Sequence, residues 1–276
     1  MSRQIRSRRP GTSWNPAQYG LFGDERRRPF FELVGRVRAD DPIHVVDLGC
    51  GSGELTATLA DRWPAAHIVG IDSSPEMIAE AERRAVPGLR FTTGDIEAWE
   101  PDQPVDVIIS NAALQWVPTH RDLLPAWVEW LTPGGWLAFQ VPGNFDAPSH
   151  TVLRELCQSP RWHNLLGNVL RDPAYAAPVA SGAPAEYLDL LAAQDCATID
   201  VWETTFLQVL QGDDPVLEWV KGTALRPVLA VLDADPAGRD EFLKEYGALL
   251  REAYPRSSYG TVFPFRRVFA VARRSP

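Results

Sequence analysis

The strongest chemical signal in the chain is ten residues long: Val45-Val46-Asp47-Leu48-Gly49-Cys50-Gly51-Ser52-Gly53-Glu54. An apolar run ends in a carboxylate, and three alternate glycines precede a stretch of helical spacing. Glycine at such a turn permits a sharp bend and lets the backbone approach a ligand closely. The helix that follows supplies free N–H groups at its start. About 20 residues further on, a second apolar run ends in Asp72, where a carboxylate can accept both ribose hydroxyls of a nucleoside. The pattern is D-x-G-x-G-x-G, whereas nicotinamide enzymes use G-x-G-x-x-G with a pyrophosphate at the helix start.

An anionic Asp47 suits a cationic or amine-bearing nucleoside better than a pyrophosphate. S-adenosylmethionine carries both a sulfonium and an ammonium, and it is the expected cofactor, leaving as S-adenosylhomocysteine. Its expected contacts are Asp47, Gly49, Gly51, Gly53 and Asp72, with Ser73 and Met77 just beyond. Asp95 follows a third strand-like run and can accept the adenine amino group, with Ile96 packing on the ring. Asn111 and Leu114 belong to Ser110-Asn111-Ala112-Ala113-Leu114-Gln115-Trp116, which follows a fourth run. Ligands of open α/β sheets sit at the carboxyl ends of the strands, so this loop should face both cofactor and acceptor.

The elements that position these residues alternate. Strand signals at Ile43–Leu48, His67–Ile71, Leu89–Thr93, Val105–Ser110 and Trp136–Val141 are separated by helix signals at Glu54–Trp63, Pro75–Ala85 and Asp122–Leu131. Ser73 or Ser74 should cap the second helix, with Pro75 in its first turn. Such alternation predicts an α/β, Rossmann-like, mostly parallel sheet covered by helices on both faces. From about Pro142 the character changes. Leu153–Leu170 and Glu186–Ala193 read as helices, Ile199–Leu210 as a strand, and Pro215–Tyr254 as helix broken at Pro227, Pro236 and Gly238. Val262–Ala272 is a closing β-rich segment. The expected organisation is a basic start over 1–13 without order and a cofactor-binding core over 14–141. A helical insertion with the last core helix follows over 142–195. Terminal strands over 196–276 then carry a second insertion at about 213–256, and the insertions form a lid over the acceptor site.

Composition limits the alternatives. The 276 residues are 45% hydrophobic and 23% charged, ordinary for a globular chain. A net charge of -9 argues against a broad nucleic-acid surface. No apolar run approaches a membrane span, and the Arg-rich first ten residues lead into no apolar segment, so neither a span nor a secretory signal is expected. Cys50, Cys157 and Cys196 are too widely spaced for a zinc site, and an odd count does not suit a disulfide framework. The expectation is a cytoplasmic protein with no metal, a monomer or weak homodimer.

The glycine motif and its flanks resemble the class I methyltransferases, and further segments resemble the trans-aconitate 2-methyltransferases among them. These are Trp14-Asn15-Pro16-Ala17-Gln18-Tyr19, Arg28-Pro29-Phe30, Asn111 to His120, Gln140-Val141-Pro142-Gly143-Asn144-Phe145, Val201-Trp202-Glu203-Thr204-Thr205, Gly222 to Pro227, Ala253-Tyr254-Pro255 and Phe263 to Phe269. The resemblance covers about Trp14 to Ala272. One departure is Ser52, where the pattern leads one to expect proline.

The resemblance implies methylation of one carboxylate of a propene tricarboxylate to its monomethyl ester, with the last strand of the sheet antiparallel. A carboxylate is ionised at neutral pH, so no catalytic acid or base is required and none is assigned. Binding the other carboxylates calls for cations and donors. The candidates are Arg226, Arg266 and Arg267, with Trp14, Tyr19, Gln115, Trp116, His120 and His150. Adjacent strand residues point to opposite faces, so only one of Arg266 and Arg267 can readily enter a pocket. Trp14 and Tyr19 are expected as part of a lid. Other readings keep the scaffold and change the role. They are another small carboxylic acid, a natural-product hydroxyl with His120 or His150 as base, or a non-catalytic S-adenosylmethionine sensor. A nicotinamide oxidoreductase is disfavoured by the glycine spacing and Asp47.

Overall fold

The computed structural model describes residues 23–171 and 182–276. Trp14, Tyr19 and the basic start at 1–13 lie outside the described residues. Helix α1 is Gly23–Val34, followed by β1 His44–Leu48, α2 Glu54–Arg62, β2 His67–Asp72, α3 Pro75–Ala81, β3 Leu89–Thr93 and β4 Val105–Asn111. Then come α4 His120–Trp130, β5 Leu131–Pro142, α5 Pro148–Gln158, α6 His163–Leu166, α7 Pro184–Ala192 and β6 Cys196–Leu210. The chain closes with α8 Pro215–Lys221, α9 Arg226–Leu232, α10 Pro236–Ala253, β7 Arg256–Ser257 and β8 Gly260–Arg274.

The strands form one sheet in the order β3-β2-β1-β4-β5-β8-β6, with β7 beside β8. Strands β1 to β5 are parallel, and β8 runs antiparallel to both β5 and β6. This is the α/β sheet that strand–helix alternation requires, with the antiparallel strand near the end of the chain. Both faces are apolar. Val46, Leu48, Ile108, Leu137, Phe139, Val268 and Ala270 pack on one side with Trp127 of α4 and Tyr187 of α7. Val45, Val107, Ile109, Ala138, Phe269 and Val271 pack on the other with Phe30 and Leu33 of α1 and Leu59 of α2.

Strands β6 and β8 are 15 residues each and outrun the sheet. Pairing with β5 stops at Pro142 opposite Arg267, but β6 and β8 stay paired to Leu210 opposite Thr261. Six residues of β8, about 20 Å of strand, therefore project past β5 as a two-stranded ribbon. A third apolar cluster forms on it. Phe263, Phe265 and Leu210 of the ribbon join Leu153 and Leu156 of α5, Trp219 of α8, Val228 of α9 and Phe242 and Tyr246 of α10. The two insertions thus build one helical cap with a shared core. Tyr254 Oη accepts from Ser149 N at 3.0 Å, and Tyr246 Oη donates to Ser149 O at 2.6 Å, tying the start of α5 to the other insertion.

Local signals explain where the elements differ from expectation. The stretch expected as one helix over Leu153–Leu170 breaks after Gln158, because Pro160 pushes Ser159 into an extended conformation. Pro227 and Pro236 do not break helices; each sits in the first turn of one, where a missing N–H costs nothing. The α3 region ends as α-helix at Ala81 and tightens into a 3-10 turn over Glu82–Arg84. Among the described residues no helix is long and apolar enough to cross a membrane.

Candidate active site

The glycine turn joins β1 to α2, and all three motif glycines hold positive φ: Gly49 at 82°, Gly51 at 56° and Gly53 at 74°. Their surroundings differ. A Cβ on Gly49 would stand 2.2 Å from Ala113 Cβ, and one on Gly53 would meet the Phe91 ring at 2.7 Å. Around Gly51 there is nothing within 4 Å. Gly49 is therefore required by packing against the loop after β4, and Gly53 by packing against β3 and α3, while Gly51 borders open space at the turn. Gly49→Ala should consequently cost about 3 kcal/mol or more of stability through clash and strained backbone. Gly51→Ala should cost only about 1–2 kcal/mol. Thermal melts of the two variants would check the order; equal losses would contradict it.

Asp47 ends the β1 side-chain row and is 3% exposed. Thr56 Oγ1 of α2 donates to its Oδ2 at 2.5 Å. Burial raises the Asp47 carboxyl to about 7; the Thr56 bond pulls it down and the Asp72 charge pushes it further up. Among the described residues no cation is paired with it. A buried carboxylate so placed fits a ligand that brings its own positive charge. Asp72, at the end of β2, takes Gly51 N at 2.9 Å on Oδ2 and Ser74 N at 2.9 Å on Oδ1. Its pKa is raised by burial and held back by those backbone donors. The bonds fix its carboxylate at the glycine turn, and each oxygen retains accepting capacity for hydroxyls. Ser74, rather than Ser73, caps α3, accepting from Met77 N at 3.3 Å. Ser73 is exposed beside Asp72 and Met77 is buried.

The remaining cofactor candidates divide similarly. Asp95 is exposed and caps a short turn by accepting from Glu97 N at 3.0 Å. Ile96 is buried, its Cδ1 facing Gly49. Leu114 is wholly buried in the apolar core. Asn111 closes β4, and its Oδ1 is buried without a partner. The next residue, Ala112, holds φ at 54°, a strained backbone for a residue with a side chain, at the tip of the strand.

The acceptor candidates separate sharply. Arg267 is 4% exposed at the root of the ribbon; its Nη1 donates to Gln140 Oε1 at 2.9 Å, and its guanidinium stacks 4.7 Å from the Phe265 ring centre. Arg266 points the other way, bonded to Glu203 through Nε at 2.9 Å and to Gly143 O at 2.8 Å. Gln115 is buried, with Nε2 donating to Ala112 O at 2.6 Å and Oε1 unmet. Trp116 lies half-buried in the same turn. Arg226 begins α9, half-buried, with burial lowering its pKa to about 10. His150 sits in the first turn of α5, 5.3 Å from the Phe145 ring and near Ser149 Oγ. Burial lowers its pKa to about 4, so it is neutral at physiological pH.

His120, expected at the acceptor site, is a structural residue instead. The ring is wholly buried, Nδ1 lies 2.8 Å from Val117 O, and Nε2 lies 2.8 Å from Tyr187 Oη. No ring nitrogen remains for a ligand. Two residues that pattern reading missed are Gln140 and Asn144, at 0% and 4% exposure. Gln140 Nε2 and both Asn144 amide atoms are without partners among the described residues. The available signal was an amide interrupting the apolar run Trp136-Leu137-Ala138-Phe139.

Parity brings these residues together. Asp47, Asn111, Gln140 and Arg267 sit two residues from Val45, Ile109, Ala138 and Phe269, which pack on the α1 face. One polar side chain from each of four adjacent strands, β1, β4, β5 and β8, thus lines one face at the carboxyl ends of the parallel strands. Among the described residues no three His, Cys, Asp or Glu side chains cluster as metal ligands.

The chain is similar to known methyltransferases. A methyltransferase-domain family model matches residues 45–135, the span from β1 to the start of β5. The chain is 53% identical over 270 residues to a trans-aconitate 2-methyltransferase of Streptomyces coelicolor, covering 95% of this chain and 87% of that one. It is 52% identical over 261 residues to one of Rhodococcus jostii, covering 94% and 99%. Among solved structures, the YcgJ protein of Bacillus subtilis aligns at a TM-score of 0.56 and 18% identity, covering 90% of this chain and 99% of that one. A phosphoethanolamine N-methyltransferase of Haemonchus contortus, in complex with phosphomonomethylethanolamine and S-adenosylhomocysteine, aligns at 0.53 and 13%, covering 90% and 53%. At such identity the likeness extends to the fold alone.

Proposed function

The chain belongs to the trans-aconitate 2-methyltransferase family, and on that premise we propose that it methylates one carboxylate of trans-aconitate, using S-adenosylmethionine and releasing the monomethyl ester and S-adenosylhomocysteine. The observation that carries this reading is the polarity of the four-strand row. It begins with a buried carboxylate, Asp47, that has no paired cation among the described residues, beside the glycine turn, and it ends with the buried guanidinium of Arg267.

The cofactor, when bound, supplies an electrophilic methyl group on a sulfonium. Asp47 and Asn111 Oδ1 offer acceptors to its ammonium, and Asp72 to its ribose hydroxyls. Gly51 leaves room for it, and Asp95, Ile96, Met77, Ser73 and Leu114 flank the adenine side. The acceptor arrives ionised, so the protein has no proton to remove. Its work is to hold a carboxylate oxygen at near-attack distance and to keep water out. Arg267 holds the acceptor by charge, and Gln115, Trp116, Arg226 and His150 are the further proposed acceptor contacts, as are Trp14 and Tyr19, which lie outside the described residues. Arg266, engaged with Glu203, orients the β5–β8 junction. The two insertions, joined as one cap on the ribbon, provide the enclosure.

The test is transfer of labelled methyl to a panel of small acids, with trans- and cis-aconitate side by side and products identified by mass spectrometry. A base-labile monomethyl ester from the trans isomer is expected. No transfer to any acid, with cofactor binding intact, would overturn the acceptor assignment.

A further inference from the structure

Gln140 lies on the interior strand β5, opposite Asn111 of β4 in the strand register. An unmet buried donor costs about 1–3 kcal/mol, so an amide there normally bonds fully within the protein. Half of Gln140 does so, with Oε1 accepting from Arg267 Nη1 at 2.9 Å. The other half, Nε2, has no partner among the described residues. The amide cannot be turned over. A guanidinium has only donors, so the oxygen must face Arg267 and the NH2 group must face away from it. Gln115 is locked in the opposite sense. Its Nε2 donates to the Ala112 carbonyl, which only accepts, and Oε1 is left as an unmet acceptor. The two locked amides sort the site. Acceptors lie on the β1–β4 side, at the Asp47 carboxylate and at Asn111 Oδ1 and Gln115 Oε1, both unmet among the described residues; donors lie on the β5–β8 side, at Gln140 Nε2 and Arg267.

We propose that Gln140 is a specificity-determining residue, whose Nε2 donates to a carboxylate oxygen of the acceptor while its Oε1 fixes the Arg267 guanidinium. The proposal takes the acceptor's identity from the methyl-transfer reading, and its geometry stands apart from it. A carboxylate presents acceptors only and satisfies the Gln140 donor. A carboxamide turned the wrong way, or an ammonium, sets donor against donor. Asn144, just past the end of β5, holds a further unmet donor in the same stretch of chain.

Gln140→Glu keeps the shape and the Arg267 bond but exchanges the donor for an acceptor. Calorimetric titration of trans-aconitate into protein saturated with S-adenosylhomocysteine should show Kd raised about 100-fold, and KM should rise in parallel. Affinity for S-adenosylhomocysteine should stay within about twofold. Loss of one hydrogen bond to a charged group predicts about 10-fold or more for Gln140→Met. Unchanged acceptor Kd in Gln140→Glu overturns the proposal. A second measurement needs only the wild-type protein: analogues with one carboxylate replaced by carboxamide should include one that binds at least 10-fold more weakly, and equal binding by all overturns the proposal. If tricarboxylates bind but are not methylated, the methyl-transfer reading fails while the Kd ratios still judge Gln140. A wild-type protein that binds no carboxylate overturns both.

Discussion

Arg267→Met should raise KM for the acceptor by about 10²- to 10³-fold, whereas Arg266→Met should change it less than about 3-fold. The two arginines are adjacent and equally charged, so the contrast comes entirely from placement. Arg267 is buried on the face shared with Asp47 and is bonded to Gln140. Arg266 is partly exposed and engaged by Glu203 and the Gly143 carbonyl. Removing a buried charge that binds a carboxylate costs about 2–5 kcal/mol, and each 1.4 kcal/mol is tenfold. Losing Arg267 also strands Gln140 Oε1, so some stability is lost with it, about 1–3 kcal/mol. Cofactor affinity separates the two effects. It should be unchanged in Arg267→Met where the protein remains folded, while acceptor KM rises. A cofactor Kd that rises together with KM would mean that Arg267 holds the fold rather than the acceptor.

Local chemistry was readable in the chain, and long-range geometry was not. The glycine turn, Asp47 and Asp72 are recognisable because strand, turn and helix start are contiguous in sequence. The hydroxyl of Thr56 on Asp47 is not, since a threonine inside a helical pattern carries no mark of what its side chain touches. Strand alternation required that Arg266 and Arg267 diverge but could not say which turns toward the site. Both faces of β8 are apolar, with Val268 and Ala270 on one and Phe269 and Val271 on the other, so no polar face points outward. His120 was a candidate because its side chain can donate to a carboxylate. Its burial depends on Tyr187, 67 residues away. The insertions were expected as a lid, but the core they share was not legible, for the same reason. Two insertions separated by β6 each read as amphipathic helices, and only the ribbon of β6 and β8 brings their apolar faces together.

Cofactor binding should tighten as pH rises toward about 7 and level off above it. Burial, with the charge of Asp72 added, holds the Asp47 carboxyl at about 7 in the free protein despite the Thr56 bond. A ligand ammonium favours the ionised form, so below pH 7 binding must expel a proton, and affinity should fall about tenfold per pH unit. The sign for the free fold is the reverse. Asp47 binds its proton more tightly folded than unfolded, so its contribution to stability is held at low pH and lost as pH climbs from 3.8 to about 7. That displacement corresponds to about 4 kcal/mol. Asp47→Asn, which can still accept from Thr56, should therefore raise the melting temperature of the free protein at pH 8 and leave it little changed at pH 4. The same substitution should weaken S-adenosylmethionine binding by about 10²-fold at pH 8 and flatten its pH dependence. S-adenosylhomocysteine, which retains the ammonium, should behave like S-adenosylmethionine. 5′-Methylthioadenosine, which lacks it, should bind with little pH dependence to either protein. If methylthioadenosine showed the same titration in the wild type, Asp47 would be sensing the nucleoside rather than the amine, and its assignment to the ammonium would fall.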